Sequence, residues 1–202
     1  MPQKRYKVNR RAYVPQRLNR LSEAMHSVIQ LVDGPLRDGT ANTPKRAAEA
    51  WLHWTRGSTV TEDDVKNMMT LFPAESSSPV AVLRIPFYSH CEHHLAPFFG
   101  HVSLRYIPRN SIVGLSKINR LVEVFAARLQ VQERLTDQIA EKFYDIVEPS
   151  AVATVVTARH LCMESRGVAH NGHYTLTTSF RGSFANPAAA ARDLAEMHER
   201  AK

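Results

Sequence analysis

The sequence predicts an α+β protein: helices first, then one small antiparallel sheet with two helices on one of its faces. Three observations carry this. Residues 17–57 place apolar side chains at helical spacing, residues 79–107 and 151–180 contain two pairs of β-rich segments, and two further helical stretches lie between those pairs.

The first twenty residues hold Lys4, Arg5, Lys7, Arg10, Arg11, Arg17 and Arg20 and no acid. The net charge of +7 therefore belongs to this end, because the rest of the chain has 19 basic residues (26 less these seven) against 19 acidic ones. Residues 1–16 read as a basic, disordered tail, and nucleic acid is not the expected partner. Leu18, Leu21, Met25, Val28, Ile29 and Val32 make the apolar stripe of a first helix, which Gly34 ends. A second helix has Thr43 as N-cap, Pro44 at its first position and Gly57 beyond its last turn. It should expose Lys45 and Arg46 and pack Ala47, Trp51 and Trp54. Thr61-Glu62-Asp63-Asp64 is the acidic start of a shorter third helix, and residues 72–78 form a loop. Residues 17–78 thus read as an N-terminal helical region and residues 79–202 as the second domain.

In that second domain, residues 79–88 and 99–107 pair as strands around a long hairpin loop. Ser116 caps a helix running through Ile118, Leu121, Val122 and Phe125. The next helix carries Leu135, Ile139, Phe143 and Ile146 and stops before Pro149. Residues 151–158 and 173–180 form the second strand pair, and residues 187–202 a polar, Ala-rich helix. Residues 102–107 and 174–180 are amphipathic, so the second face of the sheet is expected to meet another subunit.

No apolar run is long enough to cross a bilayer, and the N-terminus lacks a hydrophobic signal core. A cytoplasmic, reducing compartment is expected, which matters for the two cysteines. Cys91 and His94 stand in C-x-x-H spacing, and Cys162 lies two residues after His160. Thiolate and imidazole are the ligands Zn²⁺ favours, and three of them leave one position open. Buried apolar cysteines, a disulfide, and a structural zinc with His90 as fourth ligand are the alternatives. Both clusters follow strand ends, which an aligned sheet would bring together. His93 and His160 would then be unligated imidazoles beside a metal, a set suited to hydrolytic attack on an electrophilic carbon. The zinc deaminases of nucleobases need a C-x-x-C that this chain lacks. Ser116-Lys117-Ile118-Asn119-Arg120 puts a hydroxyl and two cations in the first turns of a helix, an arrangement for phosphate, and Arg166-Gly167 adds another cation. Glu133 offers a carboxylate that could accept from the N1–H and 2-amino group of guanine.

The segments CEHHLAPFFG (91–100), YIPRNSIVGLSKINRLVEVFAARLQVQERLT (106–136) and HLCMESRGV (160–168), with NTPKRAAEAW (42–51) more loosely, resemble GTP cyclohydrolase I. The resemblance implies the tunnelling fold, a β-β-α-α-β-β unit preceded by helices, and a decamer of two stacked pentamers with active sites between subunits. It implies ring opening of GTP at C8, loss of formate, and formation of 7,8-dihydroneopterin triphosphate, a precursor for folate, biopterin or deazaguanine pathways. By the same resemblance Cys91, His94 and Cys162 hold Zn²⁺, which activates the water that attacks C8. His93 exchanges protons at the imidazole nitrogen, and His160 is the acid at the ribose ring oxygen. Glu133 anchors guanine with Gln132 beside it, and Ser116, Lys117, Arg120, Arg166 and Arg46 bind the triphosphate. Three features depart from the resemblance: Glu49 stands where several relatives have lysine, residues 169–173 find no close match, and the basic tail lies outside it.

Overall fold

The computed structural model describes residues 15–184 and 186–201. The basic tail read from the sequence lies outside the described residues, apart from Pro15 and Gln16, which open the first helix. The chain divides into two compact units at Val60/Thr61.

In the first unit, α1 (Pro15–Asp33) stops before Gly34, whose N–H donates to Gln30 O at 3.2 Å. Leu18, Leu21, Met25 and Ile29 are half-buried, whereas Val28, Leu31 and Val32 are exposed. In α2 (Thr43–Trp54) the N-cap is Asn42 and not Thr43, and its side chain makes no cap bond. Pro44 does lie in its first turn, and Lys45 and Arg46 are exposed as expected. The buried stripe is Pro44, Ala48 and Leu52, one position on from the expected Ala47 and Trp51. One residue is about 100° of helix rotation, so the expected face is turned aside and Trp54 is exposed.

The second unit opens with α3 (Glu62–Met68), held by a reciprocal cap. Thr61 Oγ1 accepts from Asp64 N–H, and the Asp64 carboxylate accepts from Thr61 N–H, each at 3.1 Å. Part of the expected 72–78 loop is instead β1 (Leu71–Pro73), paired with β4 (Ser111–Val113) in a separate two-stranded ribbon. The main sheet contains β2 (Val80–Cys91), β3 (Pro97–Ile107), β5 (Leu129–Gln130), β6 (Ala151–His160) and β7 (Thr175–Gly182), in the order β5-β2-β3-β6-β7. All its pairings are antiparallel except the short β2–β5 contact. The expected long hairpin loop shrinks to residues 92–96, because both strands run further than their β-branched stretches. Gly100 of β3 lies tight against β6: a Cβ there would lie 1.9 Å from Thr157 O.

Between the strand pairs come α4 (Leu115–Ala126) and α5 (Gln132–Val147), which gives the tunnelling-fold order β2-β3-α4-α5-β6-β7. They bury Ile118, Leu121, Val122 and Phe125, and Leu135, Ile139 and Phe143, with Val147 in place of the expected Ile146. Each such side chain removed from water stabilises the fold by about 1.5–3 kcal/mol. The other face of the sheet is covered in part by the chain itself. Leu194 of α7 (Pro187–Arg200) is fully buried with Ala153 and Val155 of β6, and Leu83, Phe180 and Phe184 pack around them. Val102, Ser103, Leu104 and Tyr106 of β3 are consequently buried on both faces.

Candidate metal centre and acid–base site

β2 and β6 both run antiparallel to β3, which lies between them, so they emerge at the same edge of the sheet. Register fixes the meeting point: Phe98 of β3 stands opposite Ser89 on one side and His160 on the other. Beyond His160 the chain turns into the single-turn helix α6 (Leu161–Glu164), which carries Cys162. Beyond Cys91 it makes a tight hairpin in which Leu95 N–H donates to Cys91 O at 2.8 Å and Cys91 N–H to Ala96 O at 2.9 Å. Glu92 N–H donates to Gln130 O, so β5 pins the start of this hairpin.

The two clusters converge. The Sγ atoms of Cys91 and Cys162 and a ring nitrogen of His94 all lie within 4.8 Å of one another, with Cys91 Sγ 3.9 Å from His94 Nδ1. Ligand atoms around a tetrahedral zinc stand about 3.4–3.8 Å apart, so this triad fits one ion with little adjustment. Both cysteines are free. Burial, followed by the neighbouring Cys91 thiol, pushes the Cys162 thiol upward. Two thiols held together in this way favour a cation, which converts them to thiolates.

His160 is the second feature. Its ring stacks on Phe98, with centroids 4.8 Å apart and planes 5° from parallel. Its Nε2 lies 2.8 Å from Gln132 Oε1. The orientation of that amide is set by its other end, because Gln132 Nε2 faces Val156 O, Thr175 O and Thr177 Oγ1 at 3.0–3.1 Å, and backbone carbonyls only accept. Gln132 Oε1 is therefore the acceptor and His160 Nε2–H the donor. A neutral His160 keeps its Nδ1 lone pair for other business. Burial pushes the imidazole below its usual range, with Glu133 pulling the other way. The Gln132 anchor is nearly fully buried, and Thr136 extends it by donating to Gln132 O at 2.7 Å.

The remaining sequence-predicted residues fall into four groups. His93 is exposed on the 92–96 hairpin, where Glu92 lies 3.9 Å from its Nε2 and also pairs with Arg134 of α5. The Arg134 hydrogen bond holds the Glu92 carboxyl below its ordinary range. Glu133 is exposed on the first turn of α5, near enough to His160 for its charge to be felt, and Arg166 acts likewise on Cys162. Ser116, Lys117 and Arg120 are not brought to this edge. They lie in the first two turns of α4, which follows β3 and β4 at the far end of the sheet and returns toward β5 only at Ala126. The ten residue steps from Ser116 to Ala126 span about 15 Å of helix. Ser116 is also not the cap, because α4 starts at Leu115, with Gly114 in the cap position and no side-chain cap bond. Arg46 is exposed in the other compact unit.

Sequence reasoning missed the Phe98 platform and the anchoring role of Gln132. Strand alternation places Phe98 on the His160 side, but the register that makes them neighbours is a tertiary fact.

Most of the chain is similar to known proteins. The family model described as GTP cyclohydrolase I matches residues 21–199. GTP cyclohydrolase 1 of Nitrosospira multiformis is 48% identical over 175 residues, 84% of this chain and 90% of that protein. The protein of the same name from Saccharomyces cerevisiae is 44% identical over 172 residues, covering 84% and 70% of the two chains. That of Campylobacter jejuni serotype O:6 is 42% identical over 166 residues, covering 82% and 87%.

Proposed function

The chain belongs to the GTP cyclohydrolase I family, and on that premise we propose that it opens the imidazole ring of GTP at C8, releases formate and yields 7,8-dihydroneopterin triphosphate. The observation that carries this reading is the convergence of Cys91, His94 and Cys162 beside a histidine with one ring nitrogen uncommitted.

Cys91, His94 and Cys162 would hold the metal, and their thiolate and imidazole donors favour Zn²⁺. Such an ion, when bound, lowers the pKa of water and makes it a nucleophile at neutral pH. The protein's own groups do the rest. His160 gives its Nε2–H to Gln132, so proton transfer to and from the ribose ring oxygen runs through Nδ1. Stacking on Phe98 and the Gln132 bond fix the ring's orientation before substrate arrives. His93, on the hairpin that Glu92 and Arg134 tether, serves the imidazole nitrogens of guanine. Glu133 accepts from guanine N1–H and the 2-amino group, a donor pair that adenine does not offer.

The triphosphate needs cations, and Ser116, Lys117 and Arg120 sit a helix length from the metal edge of their own chain. This supports a site completed by a second copy, in keeping with a decamer of stacked pentamers. Arg166 and Arg46 are further candidates for the phosphates. Among the described residues no helix is long and apolar enough to cross a membrane, and a cytoplasmic location is part of the same proposal.

Incubating the protein with GTP and identifying the product by mass tests the reading. Formate and a triphosphorylated dihydropterin are expected, with about one tightly held zinc per chain. Full zinc occupancy with neither product would overturn it, and normal zinc content in Cys162→Ser would overturn the ligand set.

A further inference from the structure

Among the described residues, a second pair of metal-type donors lies just past Cys162, in the stretch 169–173 that the family resemblance does not match. His170 and His173 stand in H-x-x-H spacing, with Gly172 between them at φ +84° turning the chain back on itself. The turn aims the two rings at each other through the same atom: His170 Nδ1 and His173 Nδ1 are 3.2 Å apart, with ring centroids at 5.3 Å. Two nitrogens bound at about 2.0–2.1 Å to one tetrahedral ion stand about 3.3 Å from each other. The separation of the two nitrogens thus matches the bite of a chelate.

The pair stands beside the acid–base site, because the charge of His173 is felt by both His160 and Glu164.

We propose that His170 and His173 form a second site for a divalent transition metal ion, separate from the Cys91–His94–Cys162 group. Its ligands are neutral imidazoles through Nδ1, which suit Zn²⁺, Ni²⁺ or Co²⁺ and not Mg²⁺ or Ca²⁺. With two protein ligands and an exposed His170, the remaining positions are open to water, so the ion is weakly held and exchanges with solvent. Occupancy staples the turn that follows Arg166 and puts a double positive charge next to His160.

Equilibrium dialysis of the full chain against a Zn²⁺ series tests this, with wild type beside His170→Ala/His173→Ala and beside Cys162→Ser. Wild type should take up about two ions per chain in two phases. The histidine double variant should keep the tight ion and lose the weak one, while Cys162→Ser does the reverse. Equal uptake by wild type and the histidine double variant at every concentration overturns the proposal. Co²⁺ absorption keeps the two sites distinguishable, since only the cysteine group can give a thiolate charge-transfer band. Absence of that band in wild type counts against the first site and leaves the dialysis difference to decide the second.

Discussion

Two histidines sit on opposite faces of the same sheet, and the contrast between them shows what makes an imidazole chemical and what makes it structural. His198 of α7 is 1% exposed and has both ring nitrogens engaged, Nδ1 with Ser103 Oγ and Nε2 with Thr157 Oγ1, each at 2.7 Å. His160 of β6, on the α5 face, has Nε2 tied to Gln132 at 2.8 Å, and no described residue takes its Nδ1. Both rings are fixed in place. Only one keeps a lone pair for a substrate, and the difference lies in how many ring atoms the fold has consumed.

Substitution should separate the two roles. The largest effect is expected from His160→Ala, which should lower turnover by about 10²–10⁴-fold, the usual range for a general acid–base group. Its zinc content should stay near wild type, and steady-state kinetics beside metal analysis would check this. An active His160→Ala variant would remove the group from the chemistry. His198→Ala should do the opposite. Losing two buried hydrogen bonds and leaving a cavity between α7 and the sheet should cost about 2–3 kcal/mol in denaturant unfolding, with turnover per folded chain kept. A variant of full stability would show that α7 does not depend on this contact.

The smallest effect is in the pH dependence of stability. Burial lowers His160, His90 and His101 below the ordinary histidine value. The unfolded chain therefore binds protons first as pH falls. The stabilising contribution is fully present above about pH 6.5 and is lost as pH drops through the folded-state values. Metal-free protein should lose unfolding midpoint between about pH 7 and 5. His160→Gln should flatten part of that slope, and an unchanged slope would mean the ring is not held neutral by its surroundings.

Much of the architecture was legible because it rests on local patterns. The apolar run of β6, the stripes of α4 and α5, and the Thr61 cap are written in neighbouring residues. The convergence of Cys91, His94 and Cys162 was legible for a different reason: two cysteines in the chain, each within three residues of a histidine, leave few arrangements once strand ends are aligned. What stayed hidden was pairing at a distance. Three-residue β1 and β4 are too short to show alternation, and they exist because they pair with each other. The reach of α7 over the sheet was masked by its alanines, since Leu194 is fully buried in a helix that otherwise reads as polar. Gln132 looked like a companion to Glu133, and nothing in a glutamine's neighbours tells a buried anchor from a solvated side chain. The N-cap of α2 and the facing of its tryptophans shifted by single positions, which sequence spacing does not resolve.

The direction of α4 has one more consequence. Its cationic first turns and the metal edge of the sheet belong to one chain but, in the proposed assembly, serve different sites. A chain damaged at Lys117 would still carry an intact metal edge, and a chain damaged at His160 would still carry intact cations. Each alone would be inactive, yet mixed oligomers of the two would contain some junctions built only from sound halves. Co-expressing the two silent variants should therefore restore a measurable fraction of activity, and genetics would see complementation between alleles of a single gene. Silence in the mixed oligomers would mean that each chain supplies its own phosphate contacts after all.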